Sequence, residues 1–205
     1  SATLLTTDCS VGAAVGAYAW GAALDSALGL DGADLDACPS LASSAPAPLP
    51  ISFFDERKVR AVAAGASFSV AITDNGQAYS WGSKIGLGGP EAVGTAVGSP
   101  RLLAVDGVAA VAAGDRHALL LLDNGEVYGF GDDDVGQLGG VVSTRVSSTD
   151  KTGQLNVPKA KAIAAGALHS LVLADDGKVY AFGSNDAAQL GNAAADGSAS
   201  GLSWP

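Results

Sequence analysis

Three segments of this 205-residue chain repeat one another in composition and order. Each contains a short apolar run that ends in two alanines and a glycine, and these glycines are Gly65, Gly114 and Gly166. Gly65 and Gly114 are 49 residues apart, and Gly114 and Gly166 are 52 residues apart. A repeat of this length is one small structural unit that must stack on its neighbours, so it constrains the fold more than any other feature.

Each repeat predicts three short antiparallel strands. After the first apolar run comes a second one, such as Ala118 to Leu122, and then a tight turn. Asn and Gly tolerate the backbone conformation that a two-residue hairpin needs, so the turns predict hairpins. An alternating strand follows, and residues 100–105 are expected to form a fourth strand. The turn glycines are Gly76, Gly125 and Gly177, and the third strands end at the pairs Trp20–Gly21, Trp81–Gly82, Phe130–Gly131 and Phe182–Gly183.

Small sheets that repeat every 40 to 50 residues or so are typical of β-propeller blades. One blade cannot cover both of its faces, so the core is expected to lie between blades. The composition agrees, because 48% of the residues are hydrophobic and only 16% are charged. We therefore predict an all-β fold of propeller blades. The aromatic residues Trp20, Trp81, Phe130 and Phe182 are expected in the blade core.

The consensus of the repeats resembles the RCC1 (regulator of chromosome condensation) repeat. It reads Ala-Ala-Gly-x-x-His, then Asp-x-Gly, then Val-Tyr-x-aromatic-Gly, and finally Gln-Leu-Gly. His117 and His169 stand at the histidine position, and we assign Ser67 to that position in the repeat before them. The resemblance covers residues 59–191, and the Trp20–Gly21 pair extends it towards the N-terminus. It implies an RCC1-like β-propeller.

We expect a single RCC1-like domain over residues 1–205 with about four blades. Their approximate bounds are 1–58, 59–107, 108–159 and 160–205, and the first blade lacks its first strand because Ala2 to Asp8 parallel a second strand. RCC1-like proteins usually close a ring of seven blades, so an incomplete or partner-closed ring is implied here. Three alternatives remain open. The chain is a piece of a longer protein, another subunit completes the ring, or the chain closes a four-bladed or dimeric ring itself.

The charge and the cysteines bear on the possible partners. The net charge is −10 with a pI near 4.3, which disfavours binding to nucleic acid and permits basic protein partners. No apolar run approaches the length of about 18 residues that a membrane helix needs, so we do not expect an integral membrane protein. Cys9 and Cys38 could pair in an oxidising compartment or stay as thiols, and their sequence context does not indicate a zinc site.

The residues that most resemble a chemical site have plainer interpretations. Asp132, Asp133 and Asp134 are consecutive, whereas calcium loops space their ligands, so we expect a solvated loop. His117 and His169 occupy one repeat position, which predicts buried histidines bonded to neighbouring backbone rather than a catalytic residue. No nucleophile, base and acid set can be assembled. We expect no catalytic, cofactor-binding or metal-binding residues, no cofactor and no enzyme activity.

Three polar or small-residue segments lie between the predicted blades. Residues 31–50 are rich in Ala, Ser, Asp and Pro and are interpreted as a long surface loop, residues 140–158 as a polar insertion, and residues 192–203 as a further loop. Insertions between blades lie on a propeller face, where partners bind. The sequence therefore predicts contact surfaces in these three segments.

The leading functional hypothesis is a protein–protein interaction scaffold that serves as an accessory structural subunit of a large assembly, with other protein subunits as partners. One alternative, which rests on the resemblance, is a guanine-nucleotide exchange factor or regulator of a small GTPase. Another alternative is a secreted binding or inhibitor propeller with a Cys9–Cys38 disulfide. The Ala- and Gly-rich composition suits a high-GC genome, such as that of a green alga or a bacterium, and an organellar or ciliary assembly is the location we favour.

Overall fold

A computed structural model of the chain describes residues 17–22, 28–29, 44–82, 97–143 and 152–191. Over these residues the chain consists of β-strands joined by turns and loops, with one short 3₁₀ helix at Ser52–Phe54. This confirms the all-β fold. The strands are β1 (Tyr18–Ala22), β2 (Ser44–Pro50), β3 (Val59–Ala64), β4 (Phe68–Thr73), β5 (Ala78–Gly82), β6 (Val97–Leu102), β7 (Val108–Ala113), β8 (His117–Leu122), β9 (Val127–Gly131), β10 (Val141–Ser143), β11 (Gly153–Leu155), β12 (Ala160–Ala165), β13 (His169–Ala174) and β14 (Val179–Gly183).

The strands form four antiparallel sheets, and each sheet corresponds to one blade. The sheet orders are β1-β2, β3-β4-β5-β6, β7-β8-β9-β11-β10 and β12-β13-β14. The fourth strand that was expected near residues 100–105 is β6, and its counterpart in the next blade is β11. Below, the strands of a blade are called first to fourth by their position in a complete sheet such as β3-β4-β5-β6. By this numbering β1, which carries the Trp20–Gly21 pair, is a third strand, and β2 is a fourth strand.

Two segments that the sequence analysis assigned to loops contain strands. Residues 31–50 were predicted to be a surface loop, but their last seven residues form β2, which pairs with β1. Proline has no N–H to donate, so a proline-rich strand belongs at a sheet edge, and β2 lies at one. Residues 140–158 were predicted to be a polar insertion, but β10 and β11 lie within them and extend the sheet.

The register repeats from blade to blade and corrects one assignment. The first residue of each second strand pairs with the glycine that ends the third strand: Phe68 with Gly82, His117 with Gly131 and His169 with Gly183. Phe68, and not Ser67, therefore occupies the histidine position in its repeat. The physical role is shared, since each of these rings packs against the glycine three residues before it. A Cβ atom on Gly65, Gly114 or Gly166 would overlap the ring.

The hydrophobic core lies in three layers between successive blades. In the first layer Ile51 and Phe54 pack against Ala71, Tyr79 and Trp81. The second and third layers repeat this arrangement one and two blades further along. They join Phe68, Val70 and Ile72 to Leu120 and Phe130, and Leu119, Leu121 and Val127 to Val172 and Phe182.

Backbone hydrogen bonds join the second blade to the third and the third to the fourth, at the start and just after the end of the first strand. At the start of the strand, the N–H of Val108 donates to the carbonyl of Gly76 (2.9 Å), and Ala160 donates to Gly125 in the same way (2.8 Å). At the other end, the N–H of Ala66 donates to the carbonyl of Asp115, and that of Asp115 to the carbonyl of Ala167, both at 3.0 Å. The same pattern therefore sets the orientation of each blade on the next.

The described blades form an arc that does not close into a ring, in which β7 packs on β3 and β4, and β12 packs on β7 and β8. Several predictions concern residues outside the described ranges, namely the strand at Ala2 to Asp8, the pairing of Cys9 with Cys38, and residues 192–203. Within the described ranges, no helix is long and apolar enough to cross a membrane.

Candidate interaction surfaces

A buried polar contact holds the last two described blades together. His117 begins β8 and is fully buried, and its Nε2 lies 2.9 Å from Oγ of Ser170 in the next blade. The Ser170 hydroxyl donates to the backbone carbonyl of Gln137 at 2.8 Å. A serine hydroxyl has one proton to donate, so Nε2 of His117 must carry the proton that it shares with Ser170. Nδ1 is then a bare acceptor, and it has no hydrogen-bond partner.

The protonation state of His117 follows from this environment. Burial is the main cause that lowers its pKa to about 4, the charge of His169 lowers the pKa further, and Asp115 and Asp132 raise it. The imidazole is therefore neutral at pH 7. The sequence predicted a bond to neighbouring backbone, whereas the partner is the Ser170 side chain, which relays the contact to backbone. His169 lies at the same repeat position but is only half-buried.

The glycines that end the third strands are required by close backbone contacts. Gly131 has φ of 105°, and a Cβ atom there would lie 2.8 Å from Cα of His117. Gly82 and Gly183 both have φ of 108° and face the same obstruction from the start of the second strand. Only glycine adopts this backbone readily, so these positions fix the approach of the strands. The turn glycines Gly76, Gly125 and Gly177 also lie at positive φ, at 78°, 81° and 87°.

Three of the four predicted core aromatic residues are buried, and one is not. Trp81, Phe130 and Phe182 pack against the preceding blade, as in the ring contact between Phe68 and Phe130 at 6.4 Å. Trp20 is 63% exposed, so its assignment to the blade core was wrong. The reason is its position in the arc, because no blade precedes β1 among the described residues. Gly21 follows it within β1 and pairs with Ala45 of β2.

The loop from Asp132 to Gly139 is braced by its own side chains. The carboxylate of Asp133 accepts a hydrogen bond from the N–H of Leu138 at 2.7 Å, and Asn185 does the same for Leu190 in the next repeat at 3.1 Å. Burial is the main cause that raises the pKa of Asp133, which the bond from Leu138 opposes and the charges of Asp132 and Asp134 reinforce. Within the described ranges, no three His, Cys, Asp or Glu side chains are grouped so that they could hold a metal ion.

One edge of the blades carries an acidic surface. The loops that follow the first and third strands meet at this edge, which we call the loop rim: residues 65–67, 114–116, 132–139, 166–168 and 184–191. Its charged residues are Asp115, Arg116, Asp132, Asp133, Asp134 and Asp186. Arg116 is paired with Asp132 at 3.3 Å, so the negative charge dominates. A basic surface is the complementary partner for such a rim.

An open groove of about 480 Å³ lies between β1 and the first two strands of the second blade, β3 and β4. Trp20, Val62, Phe68 and Trp81 are among the residues that line it. Val62 is 65% exposed, although its repeat counterparts Val111 and Ile163 are half-buried by the blades that precede them. The groove is therefore the uncovered half of a blade interface.

The last described blade presents the other half of such an interface. Leu173 is 36% exposed and Val179 is 54% exposed, whereas their counterparts one repeat earlier, Leu121 and Val127, are 6% and 1% exposed. The sequence analysis placed contact surfaces in the loops and did not identify these two positions. The repeat pattern could have identified them, because side chains that face the next blade in every repeat lose that cover where no further blade is described.

Together, the repeated register, the cores between blades and the backbone bonds that join each blade to the next define a β-propeller repeat protein. A sequence profile of the regulator of chromosome condensation (RCC1) repeat matches residues 59–83, 108–137 and 160–189. These three segments are RCC1 repeats, and the chain is an RCC1-like β-propeller protein.

Relatives and solved structures agree with this assignment. The chain is 31% identical over 128 residues to the human E3 ubiquitin-protein ligase HERC2, which is 60% of this chain and 3% of HERC2. Human WBSCR16 superposes with a TM-score of 0.64 at 24% identity, over 82% of this chain and 42% of that one. Prp20p of Saccharomyces cerevisiae superposes with a TM-score of 0.63 at 25% identity, over 85% and 42%. The chain thus spans about two fifths of these propellers.

Proposed function

We propose that this chain is a non-catalytic protein–protein interaction scaffold that serves as an accessory structural subunit of a larger assembly. The observation that carries the proposal is the exposure of apolar residues at two incomplete blade interfaces, one in the groove beside β1 and one on the last described blade. Val62 at the first and Leu173 and Val179 at the second are uncovered, while their repeat counterparts are half or fully buried. Apolar residues that are exposed where the same fold buries their counterparts mark protein contacts.

The charge of the chain adds to this proposal. The loop rim has five acidic residues and one arginine, and the net charge of the chain is −10. These charges favour basic protein surfaces as partners and disfavour nucleic acid. The loops of a propeller face are also the usual place for contacts, because a rigid scaffold positions them.

The experiment is fractionation of the native protein from the cells that make it, under mild conditions. The proposal expects the chain to elute with a constant set of other subunits, well above the mass of the polypeptide itself. A double variant, Leu173→Asp with Val179→Asp, is expected to leave the assembly, whereas Leu102→Asp, at an exposed apolar residue of β6, is expected to remain in it. Elution of the wild-type chain as a free monomer contradicts the proposal.

A second candidate function is regulation of a small GTPase. It is favoured by one observation, the similarity to Prp20p, a protein whose structure was described together with its binding to Gsp1p and histones. The test is the release of a fluorescent guanine nucleotide from purified small GTPases with and without the chain, with Prp20p as the positive control. Acceleration above the spontaneous rate supports this candidate, and unchanged release across the panel contradicts it.

A further inference from the structure

Two hairpin turns of the chain contain the same tripeptide, Asp-Asn-Gly. Its asparagines are Asn75, between β4 and β5, and Asn124, between β8 and β9, and both are exposed. An asparagine that precedes glycine can lose its side-chain amide without an enzyme, because glycine has no side chain to obstruct the approach of its backbone nitrogen. The local sequence makes both turns equally susceptible, so a difference between them must come from the fold.

The reaction is an intramolecular substitution followed by hydrolysis. The backbone nitrogen of the glycine loses its proton to hydroxide and attacks Cγ of the asparagine, and the side-chain nitrogen takes a proton from water and leaves as ammonia. A water molecule then opens the resulting succinimide ring at one of its two carbonyl carbons. The product is aspartate, or isoaspartate, in which the backbone runs through the side chain. The attack requires the asparagine side chain to turn towards the glycine nitrogen.

The turn at Asn75 holds its side-chain amide at both ends. The hydroxyl of Thr73 donates to Oδ1 of Asn75 at 2.6 Å, and Nδ2 of Asn75 donates to Oε1 of Gln77 at 3.0 Å. We call these two hydrogen bonds the turn brace. Gly76 is buried, and its Cβ position would lie 3.2 Å from the backbone of Gly107. The Asn75 side chain cannot turn towards the nitrogen of Gly76 without breaking the turn brace.

The turn at Asn124 has no such brace among the described residues. A leucine, Leu122, replaces the threonine of the first turn, and the carboxylate of Glu126 is paired with Lys159 at 3.3 Å. The N–H of Glu126 donates to Oδ1 of Asn124 at 2.9 Å, whereas Nδ2 of Asn124 donates to none of the described residues. Gly125 is half-buried, and its close neighbours include the flexible side chain of Lys159.

One protection is common to both turns. The N–H of Gly76 donates to the carbonyl of Thr73, and that of Gly125 to the carbonyl of Leu122, both at 2.9 Å. The attacking nitrogen is therefore engaged in the closed turn, and the reaction proceeds only while the turn is open. Local opening is easier where fewer contacts hold a segment, so the turn at Asn124 is expected to react faster.

We propose that the Asn124–Gly125 peptide is a site of spontaneous deamidation and isoaspartate formation, whereas the turn brace protects the Asn75–Gly76 peptide. The aspartate product fits the turn, because the last described blade carries Asp176 at this position. The carboxylate of Asp176 accepts the N–H of Lys178 at 3.0 Å, as the amide of Asn124 does for Glu126. This inference goes beyond the proposed scaffold function and does not depend on it.

The isoaspartate product does not fit, because the site lies at a joint between two blades. The carbonyl of Gly125 accepts the N–H of Ala160 at 2.8 Å, and the N–H of Asp123 donates to the carbonyl of Gly107 at 2.8 Å. Isoaspartate in place of Asn124 adds a carbon to the backbone between these two hydrogen bonds, so they cannot both keep their geometry. The modified chain should therefore be less stable than the unmodified one.

The test is peptide mapping of the folded protein during incubation in mildly alkaline buffer. Mass spectrometry with electron-transfer fragmentation measures the conversion at each asparagine and distinguishes isoaspartate from aspartate. Conversion at Asn124 should be about tenfold faster than at Asn75, since each additional hydrogen bond that must break slows the reaction several-fold. In urea, where both turns are unfolded, the two identical tripeptides should convert at similar rates, and this comparison is the internal control.

A variant tests the turn brace itself. Thr73→Val with Gln77→Ala should raise the conversion rate at Asn75 towards that at Asn124 and leave the rate at Asn124 unchanged, and circular dichroism checks that the variant folds. The isoaspartate fraction of the incubated wild type should unfold at a lower temperature than the Asn124→Asp variant, which carries the same charge on a normal backbone.

Three results would overturn the proposal. They are equal conversion at the two asparagines in the folded protein, conversion of Asn124 in urea but not in the folded protein, and an unchanged rate at Asn75 in the folded variant without the brace. The first two come from the wild-type protein alone, so the proposal remains testable if the variant does not fold.

Discussion

The Nε2 atom of His117 lies 2.9 Å from the hydroxyl of Ser170, and this contact joins two adjacent blades through the core between them. The Ser170 hydroxyl also donates a hydrogen bond to the backbone carbonyl of Gln137. Gln137 belongs to the loop after the third strand of the first of these two blades. Three elements of two blades therefore depend on one serine hydroxyl. A buried network of this kind is stabilising only while each member keeps its partner.

The first prediction concerns this network. Ser170→Ala removes a donor and an acceptor and leaves His117 Nε2 and the Gln137 carbonyl without their buried partner, so it should lower the free energy of unfolding by about 1–3 kcal/mol. His117→Ala also opens a cavity and should cost about 2–4 kcal/mol. Urea denaturation followed by tryptophan fluorescence measures both. His169→Ala, at the same repeat position but half-buried, is the matched control and should cost clearly less.

The second prediction is a pH dependence that belongs to His117. Its pKa is lowered by burial from 6.5 to about 4, so the unfolded chain binds a proton more readily than the folded chain between these pH values. The contribution of His117 is therefore fully present above pH 6.5 and is lost as the pH falls towards 4. The loss should be about 2–3 kcal/mol.

His117→Phe isolates this effect, because Phe68 shows that the repeat position accepts a phenylalanine. The difference in stability between wild type and His117→Phe should change between pH 7 and pH 4 and stay level above pH 7. Parallel stability curves for wild type and His117→Phe would show that His117 is not held neutral by the fold.

The third prediction compares two glycines, one at the end of β9 and one in the loop that follows it. Gly131→Ala should cost about 2–4 kcal/mol, because φ is 105° and the new Cβ would lie 2.8 Å from Cα of His117. Gly136→Ala should cost about 1 kcal/mol, since no atom lies within 4 Å of its Cβ position. Its counterpart in the next repeat, Ala188, already adopts φ of 58°. Thermal unfolding compares the two variants, and equal losses would contradict the assigned close approach.

The fourth prediction concerns the loop brace at Asp133. Asp133→Asn should be neutral or slightly stabilising, because burial disfavours the charge and the next repeat uses Asn185 in the same role. Asp133→Ala removes the acceptor of the Leu138 N–H and should cost about 1 kcal/mol. Denaturation midpoints at pH 7 compare the stabilities of the Asn and Ala variants with that of the wild type. A larger loss for Asn than for Ala would show that the charge itself is needed.

The sequence predicted the architecture well because the motifs of each repeat mark where its strands begin and end. Asn or Asp followed by Gly predicted the hairpins, and the aromatic–glycine pairs predicted where the third strands end, so the first three strands of the last three blades followed from the sequence. The RCC1 resemblance then named the family that the repeat profile identifies.

The features of the structure that the sequence did not predict depend on contacts between residues that are distant in the chain. Ser67 was assigned to the histidine position, but Phe68 occupies it, because the position faces the core, where an aromatic ring packs equally well. Trp20 matched its repeat and still lies exposed, because burial depends on a neighbouring blade and not on the motif. Ser170, the partner of His117, is 53 residues away in the chain. No local pattern links the two residues.

The measurement that tests the account most directly is the native mass of the particle that contains this chain, determined together with the identity of its neighbours. The account predicts a particle that contains other subunits and is well above the mass of the polypeptide that carries this sequence. Hydrogen exchange should then show that Val62, Leu173 and Val179 lie in segments that become protected in the assembly. A polypeptide that occurs in the cell as a free monomer, with these segments unprotected, would contradict it.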